Sequence, residues 1–307
     1  MKTTRRTALM LFASTALGAC GAPAIVTRDK SDPFEGGIGG TGIVGTLNGF
    51  GSLLVNGVTV ELEGDTVIRS AFGPLTQDAF APGQMLTVSA IRTPDRILAR
   101  DVVVDYALIG TLRQTRAGTS VNGVPLIASQ SALTHASTGV RVAVSGTWTP
   151  MGVRPNRIDP APHELDLIAG TSDDKGIAGV EIDARGPAPA LGSYAVAIGR
   201  AADGGLRAER VETGRFARLE RLQNLSVEGY LEPSVNAPGF RIAGLGHNFA
   251  RSVRLSEVGA RRAIYFGRYN GLFGARRGYI VPDEFAARSR LLTPGLDETF
   301  AGPVLRV

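Results

Sequence analysis

Cysteine, histidine and lysine are nearly absent from this 307-residue chain, which has one Cys, three His and three Lys, at positions 2, 30 and 175. A single cysteine excludes an internal disulfide and the Cys-rich structural zinc sets. The histidines, His135, His163 and His247, stand 28 and 84 residues apart and no HExxH is present; His163-Glu164 with Asp166 could lend metal ligands but reads as a partly exposed loop behind Pro160-Ala161-Pro162. No GxSxG is present either, and no nucleophile–base pair lies at a recognisable spacing. Aromatic residues make up 6% of the chain and tryptophan occurs once, as Trp148. The sequence therefore supplies no catalytic residue, no metal set and no cofactor motif. It leans toward a non-enzymatic role and leaves catalysis open, because triads assemble in space and not in sequence.

Glycine and proline, by contrast, are plentiful, at 40 and 17 residues. That composition favours many short strands joined by tight turns over long helices. The formal net charge is +5, and residues 241–307 alone carry 11 basic and 5 acidic side chains. Such asymmetry suits either an anionic partner or simply a solvated, Arg-rich face.

The first residues have the layout of an export signal. Lys2, Arg5 and Arg6 precede an apolar core, Ala8–Leu17, which is too short to span a membrane. The core runs into Leu17-Gly18-Ala19-Cys20, which resembles the lipobox of bacterial lipoproteins. That resemblance implies cleavage between Ala19 and Cys20, and lipidation of the only cysteine. Thr4-Arg5-Arg6-Thr7-Ala8-Leu9 partly resembles a twin-arginine signal, with Ala8 where a bulky apolar residue is usual, so both export routes stay open. Gly21, in place of an Asp after the cysteine, points to the outer membrane facing the periplasm. Loss of residues 1–19 would remove three basic side chains and leave a net charge of +2.

Residues 20–42 read as a Gly-rich tether. From Ile43 onward the pattern is β. Leu53, Val55, Val58, Val60 and Leu62 alternate, with a change of phase at Asn56-Gly57, a tight turn or bulge. Strands follow at Met85–Ile91 and Ile97–Tyr106, and the same order then returns in weaker form. VNGV at 55–58 becomes Val121-Asn122-Gly123-Val124, then Ile177-Ala178-Gly179-Val180, then Ile242-Ala243-Gly244. The expected fold is all-β: three to four tandem five-stranded, barrel-like modules of about 60 residues, closed or nearly closed and packed in a row. Their borders are 43–105, 106–164, 165–224 and 225–307, the last being divergent with a C-terminal extension.

GGIGGTGIVG at 36–45, GFGS at 49–52 and VNGVTVE at 55–61, directly behind a lipobox, resemble a bacterial lipoprotein family built on a domain of unknown function. The resemblance is close over 36–105 and loose over 106–245. It implies small β-barrel repeats and an envelope address, and it implies no reaction.

One stretch stands out as a candidate binding patch: Arg262, Tyr265, Phe266, Arg268, Tyr269, Arg276 and Arg277. Arg and Tyr are enriched where proteins bind partners. An envelope protein, a glycan or a lipid headgroup suits it, and export argues against nucleic acid. The plain alternative is a barrel strand with alternating in and out residues. Gly40–Gly45 spells GxGxxG, but the β-pattern that follows lacks the helix a dinucleotide site needs. Trp148 is either a carbohydrate platform or a rim-packing residue. Asp173-Asp174-Lys175-Gly176 reads as a hairpin turn, and Glu284–Leu292 as one short amphipathic helix. The expected role is binding or scaffolding by a lipid-anchored envelope protein. Two rivals accompany it: a hydrolase of envelope polymer with a site between modules, and a metal-handling protein that would need at least two of the three histidines to converge.

Overall fold

Four times along the chain the same strand order recurs. The computed structural model describes residues 34, 39–49, 51–128, 137–215, 222–233, 240–246, 261–293, 296 and 303–306. In the first repeat, β1 (Gly39–Gly49) leads to a short hairpin, β2 (Leu53–Val55) and β3 (Val58–Val60). A connector holding β4 (Val67–Ser70) and β5 (Gly73–Pro74) follows, and then a long hairpin, β6 (Met85–Arg92) and β7 (Ile97–Asp105). The second repeat is β8 (Leu108–Thr115), β9 (Gly118–Val121), β10 (Val124–Pro125), β11 (Arg141–Thr149) and β12 (Gly152–Pro160). The third is β13 (Asp166–Thr171), β14 (Gly176–Ile177), β15 (Val180–Ala184), β16 (Tyr194–Ala202) and β17 (Gly205–Thr213). The fourth is β18 (Leu222–Gly229), β19 (Leu231–Pro233), β20 (Phe240–Ile242), β21 (Ala263–Tyr269) and β22 (Phe273–Ile280), followed by helix α1 (Phe285–Leu292) and β23 (Val304–Arg306).

In every repeat the leading strand pairs antiparallel with the first strand of the long hairpin: β1 with β6, β8 with β11, β13 with β16, β18 with β21. The fourth repeat keeps this pairing although its sequence has drifted, and so is a true copy in topology. The all-β class expected from composition is what the structure shows.

Closure is partial, the nearly closed form of the expectation. The described residues hold no closed barrel. The first half of β1 gives its free edge to β18, in parallel register from Gly40–Leu222 to Val44–Val227, and only Leu47 and Gly49 reach β2. Likewise Leu108 and Ile109 of β8 pair with β13, while Leu112–Thr115 pair with β9. Edge groups that a barrel would satisfy within one repeat are thus satisfied by another. Single bridges, Glu61–Leu98, Leu126–Val153 and Ser172–Ile177, are all that spans the last gap in the strand circuit of each of the first three repeats.

The modules are consecutive in sequence but not in space. Repeats one and four share an 11-stranded sheet, and repeats two and three a 10-stranded one. Gly39–Gly42, read above as tether, belong to β1, where they pair with β6 on one edge and, from Gly40 on, with β18 on the other. Upstream of them Phe34 is also buried, its ring 5.1 Å from that of Phe266.

Three apolar clusters follow. Ile43, Leu47, Val55 and Val60 fill the first repeat together with Ile264, Phe266 and Leu292 of the C-terminal region. Leu108, Leu112, Val121 and Ile168 fill the shared interior of repeats two and three. Val44, Ile109, Leu167, Leu225 and Val227 form a middle cluster that joins strands of both large sheets. Strand alternation explains this: Ile43 and Leu47 of β1 point into the first cluster and Val44 into the middle one, so both faces are buried.

The turn asparagines tie the repeats together. Asn56 and Asn122 have φ of 55° and 52°, and the Gly after each is also in the left-handed region, as a two-residue hairpin turn requires. The Asn56 amide donates to Val44 O at 3.0 Å within its own repeat and to Ser226 Oγ at 2.9 Å in repeat four. Asn122 repeats the arrangement, donating to Ile109 O at 2.8 Å and reaching Leu167 O of repeat three at 3.4 Å. Each amide is seated over a leading-strand glycine, Gly45 or Gly110, where any Cβ would collide with it.

Candidate functional site

The Arg/aromatic stretch does not form one surface. Arg262, Tyr265 and Phe266 are at most 1% exposed, whereas Arg268 and Arg276 are exposed and Tyr269 and Arg277 are half-buried. The expectation of a single seven-residue patch is corrected on that point. Strand β21 is flanked by β18 and β22, and both of its faces are covered, so alternation sends no side chain of Ala263–Phe266 to solvent.

Arg262 instead anchors a buried ionic network. Its Nε donates to Glu228 Oε1 at 2.7 Å, and Arg288 of α1 brings its Nε to 3.2 Å from the same oxygen. Thr46 gives Glu228 Oε2 two more bonds, from its amide at 2.8 Å and its hydroxyl at 2.7 Å. Asn156 Oδ1, from repeat two, accepts from Arg262 at 2.8 Å and from Arg288 at 3.2 Å. Burial alone would push the Glu228 carboxyl up, but the two guanidinium groups and the Thr46 bonds outweigh it and hold the group at about 2. Burial and the like charge of Arg262 bring Arg288 down to about 10, against the pull of Glu228. Glu228 precedes Gly229, as Val44, Ile109 and Ala169 precede the matching glycines of the other repeats, so one apolar position has become ionic. The network joins repeats one, two and four and is structural in character.

A second feature is a cleft of about 370 Å³ between the first and third repeats. One wall is the outward face of β4, β6 and β7, with Arg69, Thr87, Ser89, Asp101 and Asp105. The other is β16, β17 and the residues after it, with Tyr194, Val196, Thr213 and Arg215. The walls also touch directly where Arg210 donates to Ala71 O at 2.5 Å, and Phe72 beside them stacks on His163 of repeat two at 4.7 Å. Arg69 holds Asp101 through two bonds of 3.0 Å each.

Arg215 is the unusual member. Its side chain is 7% exposed and its guanidinium lies 4.4 Å from the Tyr194 ring centroid. Nη2 serves Asp105 at 3.2 Å and Tyr194 Oη at 3.3 Å, whereas Nε and Nη1 are buried and find no acceptor among the described residues. Leaving such donors unpaired costs about 1–3 kcal/mol each. Burial pushes the Asp105 carboxyl above its ordinary range, with Arg215 and a Thr87 hydrogen bond offsetting part of the rise. Burial also carries the Tyr194 phenol to about 12, against Arg215.

Sequence reading did not single out Arg215, Asp105, Asp101 or Arg69. A signal was present in Ala99-Arg100-Asp101-Val102-Val103-Val104-Asp105, where two carboxylates four apart on one strand share a face. For Arg215 there was none. Trp148 is 9% exposed and donates to Ala169 O at 2.8 Å, a packing role. Gly40–Gly45 is extended strand within β1. Asp173 accepts from the amides of Lys175, Gly176 and Gly179, which fixes the hairpin turn. His135, His247, Ala19 and Cys20 lie outside the described residues. Among the described residues no group of three or more His, Cys, Asp or Glu side chains is placed to hold a metal ion, and no helix is long and apolar enough to cross a membrane.

Set against known proteins, the first repeat is recognisable. Residues 41–103 match a domain of unknown function, DUF5666. The match runs from β1 almost to the end of β7, and so takes in one wall of the cleft and the Asn56 turn. Neither the curated proteins nor the solved structures contain a match to this chain.

Proposed function

We propose that this chain is a lipid-anchored protein of the bacterial cell envelope, held through Cys20 at the periplasmic face of the outer membrane. In this reading it binds a ligand in the cleft between its first and third repeats. The address, and membership of a lipoprotein family, rest on Leu17-Gly18-Ala19-Cys20 behind a signal-like segment. The binding role rests on Arg215. Two of its nitrogens are buried in the wall of a roomy cleft without an acceptor among the described residues, and a bound molecule would supply one.

Fractionation and capture test the two halves. Metabolic labelling with a radioactive fatty acid is expected to mark the wild type in the envelope fraction, and Cys20→Ala is expected to be unlabelled and soluble. Label on the variant would sink the anchor. Purified mature protein is then used to capture material from detergent-solubilised envelope. Arg215→Lys is expected to lose that material and the surface variant Arg268→Lys to keep it; equal capture by both would remove the cleft from the reading.

One observation favours a second reading, hydrolysis of envelope polymer. Asp101, Asp105 and Glu212 line the same cleft, and the raised Asp105 carboxyl is suited to a general acid. The bidentate grip of Arg69 on Asp101 argues for a structural carboxylate there. Release of new reducing ends from envelope glycan, abolished in Asp105→Asn, would establish the enzyme.

A further inference from the structure

We infer that the cleft between repeats one and three takes an uncharged, polyhydroxylated ligand, a saccharide of one or two rings. The inference rests on the binding role just proposed and adds the chemistry of the ligand.

The charges in the cleft cancel in pairs. Arg69 faces Asp101 at 3.0 Å, Arg215 faces Asp105 at 3.2 Å, and Glu212 at the rim is met by Arg210 at 3.0 Å. A ligand of either sign would therefore meet as much repulsion as attraction. What the pairs leave over is hydrogen-bonding capacity of both kinds. Among the described residues Arg215 Nε and Nη1 lack acceptors, Ser89 and Thr213 present hydroxyls that both give and take, and Thr87, whose proton goes to Asp105, still accepts. A sugar hydroxyl matches this, because each one donates and accepts at once.

The apolar share of the walls is also suited to a sugar. Val103, Leu167 and Val196 line the cleft between the polar groups, and Tyr106 lies half-buried beside them. A pyranose has hydroxyls around its edge and a C–H face that packs on such surfaces, aromatic ones above all. A volume of about 370 Å³ lies near the lower end of the range for small-molecule sites.

Saturation-transfer NMR on the mature protein tests this directly. The probes are glucose, galactose, mannose and N-acetylglucosamine, with succinate and spermidine as charged counterparts. At least one sugar is expected to receive saturation and the charged probes none. Arg215→Lys is expected to weaken the sugar about tenfold or more, since it keeps the charge but loses the planar donors. Thr213→Trp fills the exposed rim of the cleft without touching the core and is expected to abolish the signal, while thermal melts confirm that both variants fold. Saturation of succinate or spermidine in place of sugar would overturn the saccharide and leave the cleft as a site. Saturation of no probe, or sugar signals unchanged in both variants, would overturn the saccharide and the cleft together.

Discussion

The Asn56 carboxamide sits directly over Gly45: a Cβ added to Gly45 would fall 1.8 Å from Asn56 Oδ1. That contact explains two motif residues at once, a glycine in the leading strand and an asparagine in the turn. The third repeat shows the reciprocal solution, in which Gly170 faces Ala178 and the added Cβ would stand 3.2 Å away. Gly45→Ala is expected to cost about 1–3 kcal/mol through overpacking. Asn56→Ala is expected to cost about 2 kcal/mol, from two lost buried hydrogen bonds. Together they should cost less than the sum by about 1 kcal/mol, because the shortened side chain makes room for the methyl group. Urea midpoints of the four proteins measure this, and strict additivity would mean that the two sites do not interact.

Glu228 makes stability depend on acid. Its folded value of about 2 lies below the ordinary 4.5, so the unfolded chain binds the proton more tightly. The stabilisation is complete above about pH 4.5 and is lost as pH falls through about 2, amounting to roughly 3 kcal/mol. Glu228→Gln should be less stable at neutral pH by about 3–5 kcal/mol, since Arg262 and Arg288 stay buried without their counter-charge. It should also lack the slope between pH 4.5 and 2. Denaturant titrations across that range separate the two effects.

Two arginines six residues apart should behave oppositely. Arg262→Met removes a charged partner of Glu228 from the interior and is expected to cost about 3–5 kcal/mol. Arg268→Met alters an exposed side chain and is expected to stay within about 0.5 kcal/mol. Thermal melts of the pair decide this, and equal losses would mean that the stretch acts as one surface after all.

Phe34 belongs to the core although it lies in the glycine-rich lead. Its ring packs edge-on against Phe266, which in turn meets Tyr279 at 5.6 Å. Phe34→Ala is expected to cost about 3–5 kcal/mol, as for other buried aromatics. A chain with an unchanged urea midpoint would show that the seat contributes nothing.

Much of this was legible in advance, for a physical reason. Alternation of Leu53, Val55, Val58 and Val60 reports a strand because side chains point to opposite faces in turn, and Asn56-Gly57 reports a turn because both residues tolerate positive φ. Both are local. The order of strands recurs because VNGV recurs, even where Ala178 has replaced the asparagine. Pairing between repeats was not legible: nothing local in Gly40–Val44 names Leu222–Val227 as its partner, since any apolar strand of the same pleat would serve. Arg262 misled for the same reason. A cation between apolar neighbours reads as surface, and only Glu228, 34 residues earlier, together with Arg288, makes its burial affordable. Arg215 follows a strand of mixed polarity and gives no sign of burial until Tyr194 and Asp105 are seen around it.

The parallel pairing of β1 with β18 fixes the order in which the chain can finish folding. Repeats two and three possess their own partners, β8 and β13, and can complete a sheet as soon as both have emerged. Repeat one cannot, because its leading strand waits for a segment roughly 180 residues downstream, and such distant contacts form slowly. Until they form, the edge of β1 stands bare, and a bare apolar edge invites any other strand. Fragments that stop short of Leu222 are therefore expected to self-associate through residues 40–44, while the whole chain stays monodisperse, which size-exclusion chromatography of the two resolves. The last repeat thus serves as a shutter for the first, and the time spent before it closes is the interval in which this fold is most exposed to aggregation.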